Sequence, residues 1–249
     1  MITLYEGRPG GGKSYNAVME IIRSLGEGSL VHTNILLHKS NIYKLVEKHY
    51  GVTPADENLI YYEKGEDLAH GLPYLMPIGT RDITNKYILD EADSWYNSRD
   101  WKQNYEKLRQ VFIYLKQHRK LHHDITLIVQ DVANLDSQFR RLAQFIYRYR
   151  DLARLAAPGI GKCYPFPHTL EIQVDYDGKT ILGRRVIPRK AEIFSAYESE
   201  QLLMDNAFNR HRSIGVLKKS GAKRFNKIAT DVLSCVVVIL ILTLCALYY

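Results

Sequence analysis

The eight residues Gly7-Arg8-Pro9-Gly10-Gly11-Gly12-Lys13-Ser14 match the pattern G-x-x-x-x-G-K-[ST], and their flanks narrow the fold sharply. Upstream, Ile2–Tyr5 is a short apolar run that predicts a strand. Downstream, Val18, Ile21, Ile22 and Leu25 recur at helical spacing, which predicts a helix over Ser14–Gly26 with Gly26 as its stop. Glycines let the loop wrap closely and aim backbone N–H groups at phosphates, and the following helix presents its positive end to the same anion. Gly7, Gly10, Gly11, Gly12, Lys13 and Ser14 are therefore the expected nucleotide-binding residues. Lys13 is expected to reach the β- and γ-phosphates of ATP, and the Ser14 hydroxyl to coordinate Mg²⁺.

The rest of the first 157 residues alternates in the same style. Leu30–Ile35 and Tyr87–Leu89 read as strands, and Ile125–Val129 as a strand buried on both faces. Leu108, Val111, Phe112 and Leu115 mark a helix. Phe139, Leu142, Ala143 and Ile146 predict another, followed by the alternating Tyr147-Arg-Tyr149-Arg as a closing strand. Residues 37–80 are polar and define no element. Alternation of this kind predicts an α/β fold: a P-loop NTPase with a mostly parallel sheet flanked by helices, over residues 1–157. Pro158-Gly159-Ile160-Gly161 marks a boundary. Beyond it, Leu170–Tyr176 and Thr180–Val186 flank Asp177-Gly178, a hairpin signal, so 158–230 is expected to be an accessory region.

Chemistry beyond the loop is expected at three places. Tyr87-Ile-Leu-Asp90-Glu91 is an apolar strand ending in two acids, with Asp90 suited to the metal's shell and Glu91 to polarising a water. Gln130 ends the strand Ile125–Val129. If that strand lies between those of the loop and Asp90, the Gln130 amide faces the γ-phosphate. Arg119 and Arg140 are the candidates for an arginine acting across a subunit interface. His118, His122 and His123 lie in HRKLHH, where no acidic base intervenes and Arg119 and Lys120 repel a cation; a solvated basic surface is expected there, not a metal site.

The far end of the chain has another character. Val232–Tyr249 is eighteen residues without a charge, about 27 Å as a helix, which predicts a membrane span over 231–249. Lys218, Lys219, Lys223, Arg224 and Lys227 precede it, so the positive-inside rule puts residues 1–230 in the cytoplasm and the C-terminus on the far side of the membrane. Part of the formal charge of +7 is this cluster, so a basic balance by itself is poor support for DNA binding. Three scattered cysteines, Cys163, Cys235 and Cys245, make no disulfide framework and fit a reducing cytosol. Met1–Tyr5 runs directly into the loop, so no secretory leader is expected.

These residues resemble the assembly and export ATPases of filamentous bacteriophages, the gene I protein group that shares its ATPase domain with the zonula occludens toxin proteins. Asp90-Glu-Ala-Asp-Ser-Trp95-Tyr-Asn-Ser-Arg99-Asp-Trp101 carries the resemblance, with His118–Leu121, Asp124-Ile125, Val129-Gln130-Asp131, Asp136, Arg140 and Ala196-Tyr197. It implies a single-pass protein of the host inner membrane whose cytoplasmic ATPase powers virion extrusion. It further implies a homo-oligomeric ring acting on the phage single-stranded DNA complex and coat protein, with an outer-membrane secretin channel. Members often carry a domain beyond the membrane helix; the expectation here is a short variant, or a separate protein supplying that part. A DNA-translocating or packaging ATPase of the FtsK/HerA type is the alternative.

Overall fold

The computed structural model describes residues 1–75, 77–97, 105–152, 156–157, 161–162, 168–175 and 178–198. The chain runs β1 (Ile2–Glu6), α1 (Lys13–Gly26), β2 (Val31–Thr33), α2 (Lys39–Tyr50), β3 (Leu59–Tyr61), α3 (Gly65–Leu75), β4 (Asn85–Leu89), α4 (Tyr105–Gln117), β5 (His123–Val129), α5 (Ser137–Arg140), β6 (Phe145–Asp151), β7 (Ala156–Ala157), β8 (Gly161–Lys162), β9 (His168–Asp175), β10 (Ile181–Pro188) and α6 (Ala191–Phe194). Two units separate: Met1–Leu155 with Phe166–Ser199, and Ala156–Pro165 with Glu200–Tyr249. In the second, the described strands β7 and β8 form an antiparallel pair.

The first unit is built on an eight-stranded sheet of order β10-β9-β6-β1-β5-β4-β2-β3. From β6 to β3 every pairing is parallel, so the strand ends that carry loops to the site lie along one edge. β4 is buried at all five positions and β1 at four of five, as strands covered on both faces are, and the one buried charge, Lys86, is paired with Glu20 and Asp124. On one face, Val18, Ile21, Ile22 and Leu25 of α1 pack with Ile42, Leu45 and Val46 of α2. On the other, Leu68 and Ala69 of α3 pack with Leu108, Val111 and Leu115 of α4. The polar stretch 37–80 thus holds α2, β3 and α3.

Two expectations need correction. The helix expected through Phe139, Leu142, Ala143 and Ile146 stops at Arg140, and Ile146 belongs to β6. All but Leu142 are buried, but Gln144 N–H donates to the Ile2 carbonyl and opens strand pairing with β1. An aromatic, alternating Phe-Ile-Tyr-Arg-Tyr segment beside an open strand is better satisfied by the sheet than by another helical turn. The hairpin expected in an accessory region lies instead in the main sheet, where β9 pairs antiparallel with β6 and β10 with β9. That pairing covers the backbone edge β6 would otherwise expose. No helix among the described residues is long and apolar enough to cross a membrane. The apolar segment 232–249 and its basic flank lie outside them, as do Arg99, Trp101, Asp177 and the three cysteines.

Candidate nucleotide-binding site

The loop Gly7–Gly12 leaves the end of β1 and becomes α1. Gly12 has φ 106°, a left-handed conformation that L side chains resist, and it is the N-cap of α1 with no side-chain cap. The first helical bond runs from Asn16 N–H to the Gly12 carbonyl, leaving the N–H groups of residues 13–15 without helical partners. Asn16 Nδ2 donates to the same carbonyl at 2.7 Å. Gly7 is required for another reason: a Cβ there would come within 2.6 Å of the Tyr149 carbonyl on β6. Gly10 and Gly11 turn their carbonyls to the Arg189 guanidinium, at 3.3 and 3.0 Å.

The lysine and serine of the loop are already poised. Lys13 Nζ donates to the Gly7 carbonyl at 2.6 Å, so its ammonium lies folded over the loop where phosphate oxygens could replace that acceptor. Ser14 Oγ donates to Asp90 Oδ2 at 3.2 Å, which joins the start of α1 to the end of β4. The other Asp90 oxygen accepts from the Glu91 N–H at 2.9 Å. Asn34, just past β2, clamps the same backbone: its Oδ1 accepts from Asp90 N–H at 2.7 Å and its Nδ2 donates to the Asp90 carbonyl at 3.1 Å. Burial pushes the Asp90 carboxyl up to about 6, helped by the Glu91 charge and opposed by the Glu91 N–H, Lys13 and Ser14. A carboxylate held in that environment gains from a neighbouring cation. A hydroxyl and a carboxylate oxygen side by side are the hard donors Mg²⁺ takes when water and phosphate fill its remaining positions.

Glu91 follows at φ 54°, one of two described non-glycine residues in the left-handed region. β5 does lie between β1 and β4, and Gln130 after it donates its amide to both Glu91 carboxylate oxygens, at 3.4 and 3.2 Å. Lys13, Ser14, Asp90, Glu91 and Gln130 therefore converge at one edge of three adjacent strands.

Within the chain, neither of the arginines named for a role across a subunit interface joins them. Arg119 is exposed in the turn that precedes β5, at the edge of the sheet opposite the loop, and roughly 20 Å of strand separates those edges. Arg140 ends α5, where the chain returns toward the start of β1. Among the described residues no side-chain hydrogen bond or ion pair ties it to the loop, Asp90 or Glu91. The histidines are also not the expected solvated surface, since His118 and His123 are buried. His123 Nδ1 meets the Tyr114 hydroxyl at 2.6 Å and its Nε2 the Pro77 carbonyl at 2.9 Å. Among the described residues, no group of three or more His, Cys, Asp or Glu side chains is placed to hold a metal.

Sequence reasoning missed Asn34, Thr169 and Arg189. The two amide bonds of Asn34 reach 56 residues along the chain and the Arg189 contacts with the loop reach 178 and 179, so no local pattern announces them.

Comparison with known proteins adds a family to this geometry. The family model described as Zonular occludens toxin (Zot) matches residues 1–202. The Gene 1 protein of Enterobacteria phage I2-2 is 33% identical over 212 residues, covering 79% of this chain and 55% of that protein. That of Salmonella phage IKe is 34% identical over 161 residues, covering 62% and 41%. The chain spans about half the length of these relatives. A solved structure described as an ATPase domain shares the fold, with a TM-score of 0.53 and 12% identity, covering 79% of this chain and 84% of that one.

Proposed function

The chain belongs to the Zonular occludens toxin (Zot) family, and on that premise we propose that it is a membrane-anchored, Mg²⁺-dependent ATPase that powers assembly and extrusion of filamentous phage virions across the host inner membrane. The observation that carries the catalytic part is the Ser14–Asp90 contact at 3.2 Å, with Glu91 and Gln130 paired beside it. In this reading the N–H groups at the start of α1 that lack helical partners bind phosphate, and Lys13 exchanges the Gly7 carbonyl for phosphate oxygens. Ser14 and Asp90 hold Mg²⁺, which supplies charge neutralisation at the phosphates. Glu91 takes the proton of the attacking water, and Gln130 orients the Glu91 carboxylate and that water.

The assembly part rests on the family and on the likeness to the phage Gene 1 proteins. The apolar segment 232–249, with the basic cluster before it, supports single-pass anchoring with the ATPase cytoplasmic and the far end of the span periplasmic. A homo-oligomeric ring acting on coat protein and the phage single-stranded DNA complex, in line with a secretin channel, completes the proposal. Replacing Lys13 with Ala is expected to abolish ATP turnover and particle release together, while the protein still fractionates with membrane. Undiminished release from that variant would sink the proposal.

The FtsK/HerA-type alternative, a DNA translocase, has one observation in its favour. Arg150 and Arg184 stand exposed on β6 and β10, the two strands that flank β9. It expects ATPase stimulation by DNA and steeply salt-dependent DNA binding. Stimulation by coat protein, with no response to DNA, decides against it.

A further inference from the structure

Arg189 follows the last residue of β10, 175 positions beyond the loop's own Ser14, yet its guanidinium lies against the outer side of that loop. Its Nη2 donates to the Gly11 carbonyl at 3.0 Å and to the Gly10 carbonyl at 3.3 Å. Its Nε donates to Thr169 Oγ1 at 2.6 Å, and Asp151 approaches Nη2 at 3.8 Å. The side chain is only 9% exposed. The packing is close: a Cβ on Gly12 would meet Thr169 Oγ1 at 2.5 Å and Arg189 Nη2 at 3.0 Å. The backbone around Arg189 is pinned as well, because the Tyr15 hydroxyl on α1 donates to the Pro188 carbonyl at 3.3 Å and accepts from Lys190 N–H at 2.8 Å.

This arrangement has a direct consequence for the loop. A trans peptide points its C=O and the following N–H in opposite directions. With the Gly11 carbonyl held by Arg189, the Gly12 N–H is turned the other way, to the opposite side of the loop. The Gly11 N–H is already committed to the Arg8 carbonyl, so the turn is braced from within and from without.

We propose that Arg189 is a positioning residue for the phosphate loop, bracing its turn at Gly10 and holding the Gly11 carbonyl outward so that the Gly12 N–H faces a bound nucleotide's phosphates. The inference rests on the nucleotide-site reading given above. Because Arg189 acts on the loop and not on the terminal phosphate, ADP and ATP should depend on it alike.

The test measures ADP and ATP affinities of the 249-residue chain by calorimetry, alongside kcat and KM for hydrolysis. Arg189→Ala should weaken both nucleotides about tenfold or more, the size of a lost charge-assisted hydrogen bond pair, with KM rising in step and kcat changed by less than about threefold. Arg189→Lys should recover part of the affinity, since one ammonium can still reach a carbonyl. Thr169→Val, which removes the Nε acceptor, should weaken both nucleotides in the same direction but less. Unchanged ADP affinity in Arg189→Ala overturns the proposal, as does a loss confined to ATP, which would make Arg189 a γ-phosphate contact. If thermal melting shows that Arg189→Ala is unfolded, Arg189→Lys and Thr169→Val decide, and unaltered ADP affinity in both overturns it. Wild-type protein that binds neither nucleotide overturns the nucleotide-site reading itself, whereas tight wild-type binding with unaffected variants overturns only the role of Arg189.

Discussion

At the scale of single residues, Glu91 is the most constrained group of the site. Its φ of 54° belongs to a conformation that costs a non-glycine residue about 1 kcal/mol or more, and that twist carries its carboxylate to the Gln130 amide. The proton transfer proposed for Glu91 predicts a clear signature. Glu91→Gln keeps the shape and the nucleotide contacts but loses the base, so turnover is expected to fall by roughly 10²–10⁴ while ATP affinity stays within a few-fold of wild type. Single-turnover hydrolysis and nucleotide binding measured together check this, and retention of wild-type turnover would remove Glu91 from the mechanism. Lys13, Ser14, Asp90 and Glu91 were readable in sequence because each sits within a short motif whose local geometry is obligatory. Gln130 was readable only on a condition about strand order, which the placement of β5 meets.

Among the elements, β2 shows how a strand can carry a titration unrelated to the site. His32 is fully buried, its Nδ1 lies 2.8 Å from the Tyr62 hydroxyl, and its ring stacks between those of Tyr62 and Tyr87. Burial, with the charge of His123 added, lowers the His32 imidazole to about 4 from its ordinary 6.5. The unfolded chain therefore binds the proton more readily between those two values. Stability contributed by the neutral ring is complete above about pH 6.5 and is lost as pH falls toward 4, by about 3 kcal/mol at most. Burial also lowers His118 and His123, which adds to the loss in the same direction. Urea unfolding at about pH 7.5 and about pH 5 should show this fall, and His32→Phe should make it shallower; equal falls in the two proteins would exclude His32 as its source. The shortened α5 carries a different lesson. Its residues have helical spacing, yet Gln144 is taken by the Ile2 carbonyl, so a sheet partner distant in sequence overrides the local period.

Across the whole molecule, the helices on each face of the sheet pack into a separate apolar cluster, and the one that includes α3 and α4 also joins the segments that follow β4 and β5. Tyr96 stacks on Phe139 with centroids 4.6 Å apart and planes at 7°, and the Tyr96 carbonyl accepts from Asp136 N–H. Phe139 is 1% exposed, so Phe139→Ala is expected to cost about 3–5 kcal/mol of unfolding free energy. Because this stack lies behind the ends of β4 and β5, turnover should drop along with stability, and chemical denaturation beside an ATPase assay would measure both. A loss below about 1 kcal/mol would mean that the cluster repacks freely.

The sequence by itself determined the phosphate loop, the two acids after β4, the α/β class and the apolar C-terminal segment. Each depends on residues near one another in the chain, where backbone geometry and side-chain period leave little freedom. Only the tertiary structure decided that the β9–β10 hairpin completes the main sheet, that Arg119 lies at the far edge from the loop, and that Arg189 stands behind the loop. Those outcomes turn on which distant strand satisfies an open backbone edge, a choice settled by hydrogen bonding and burial over the whole sheet. The phosphate loop near the start of the chain is therefore shaped in part by a residue just past β10, and that contact has no local sequence signal.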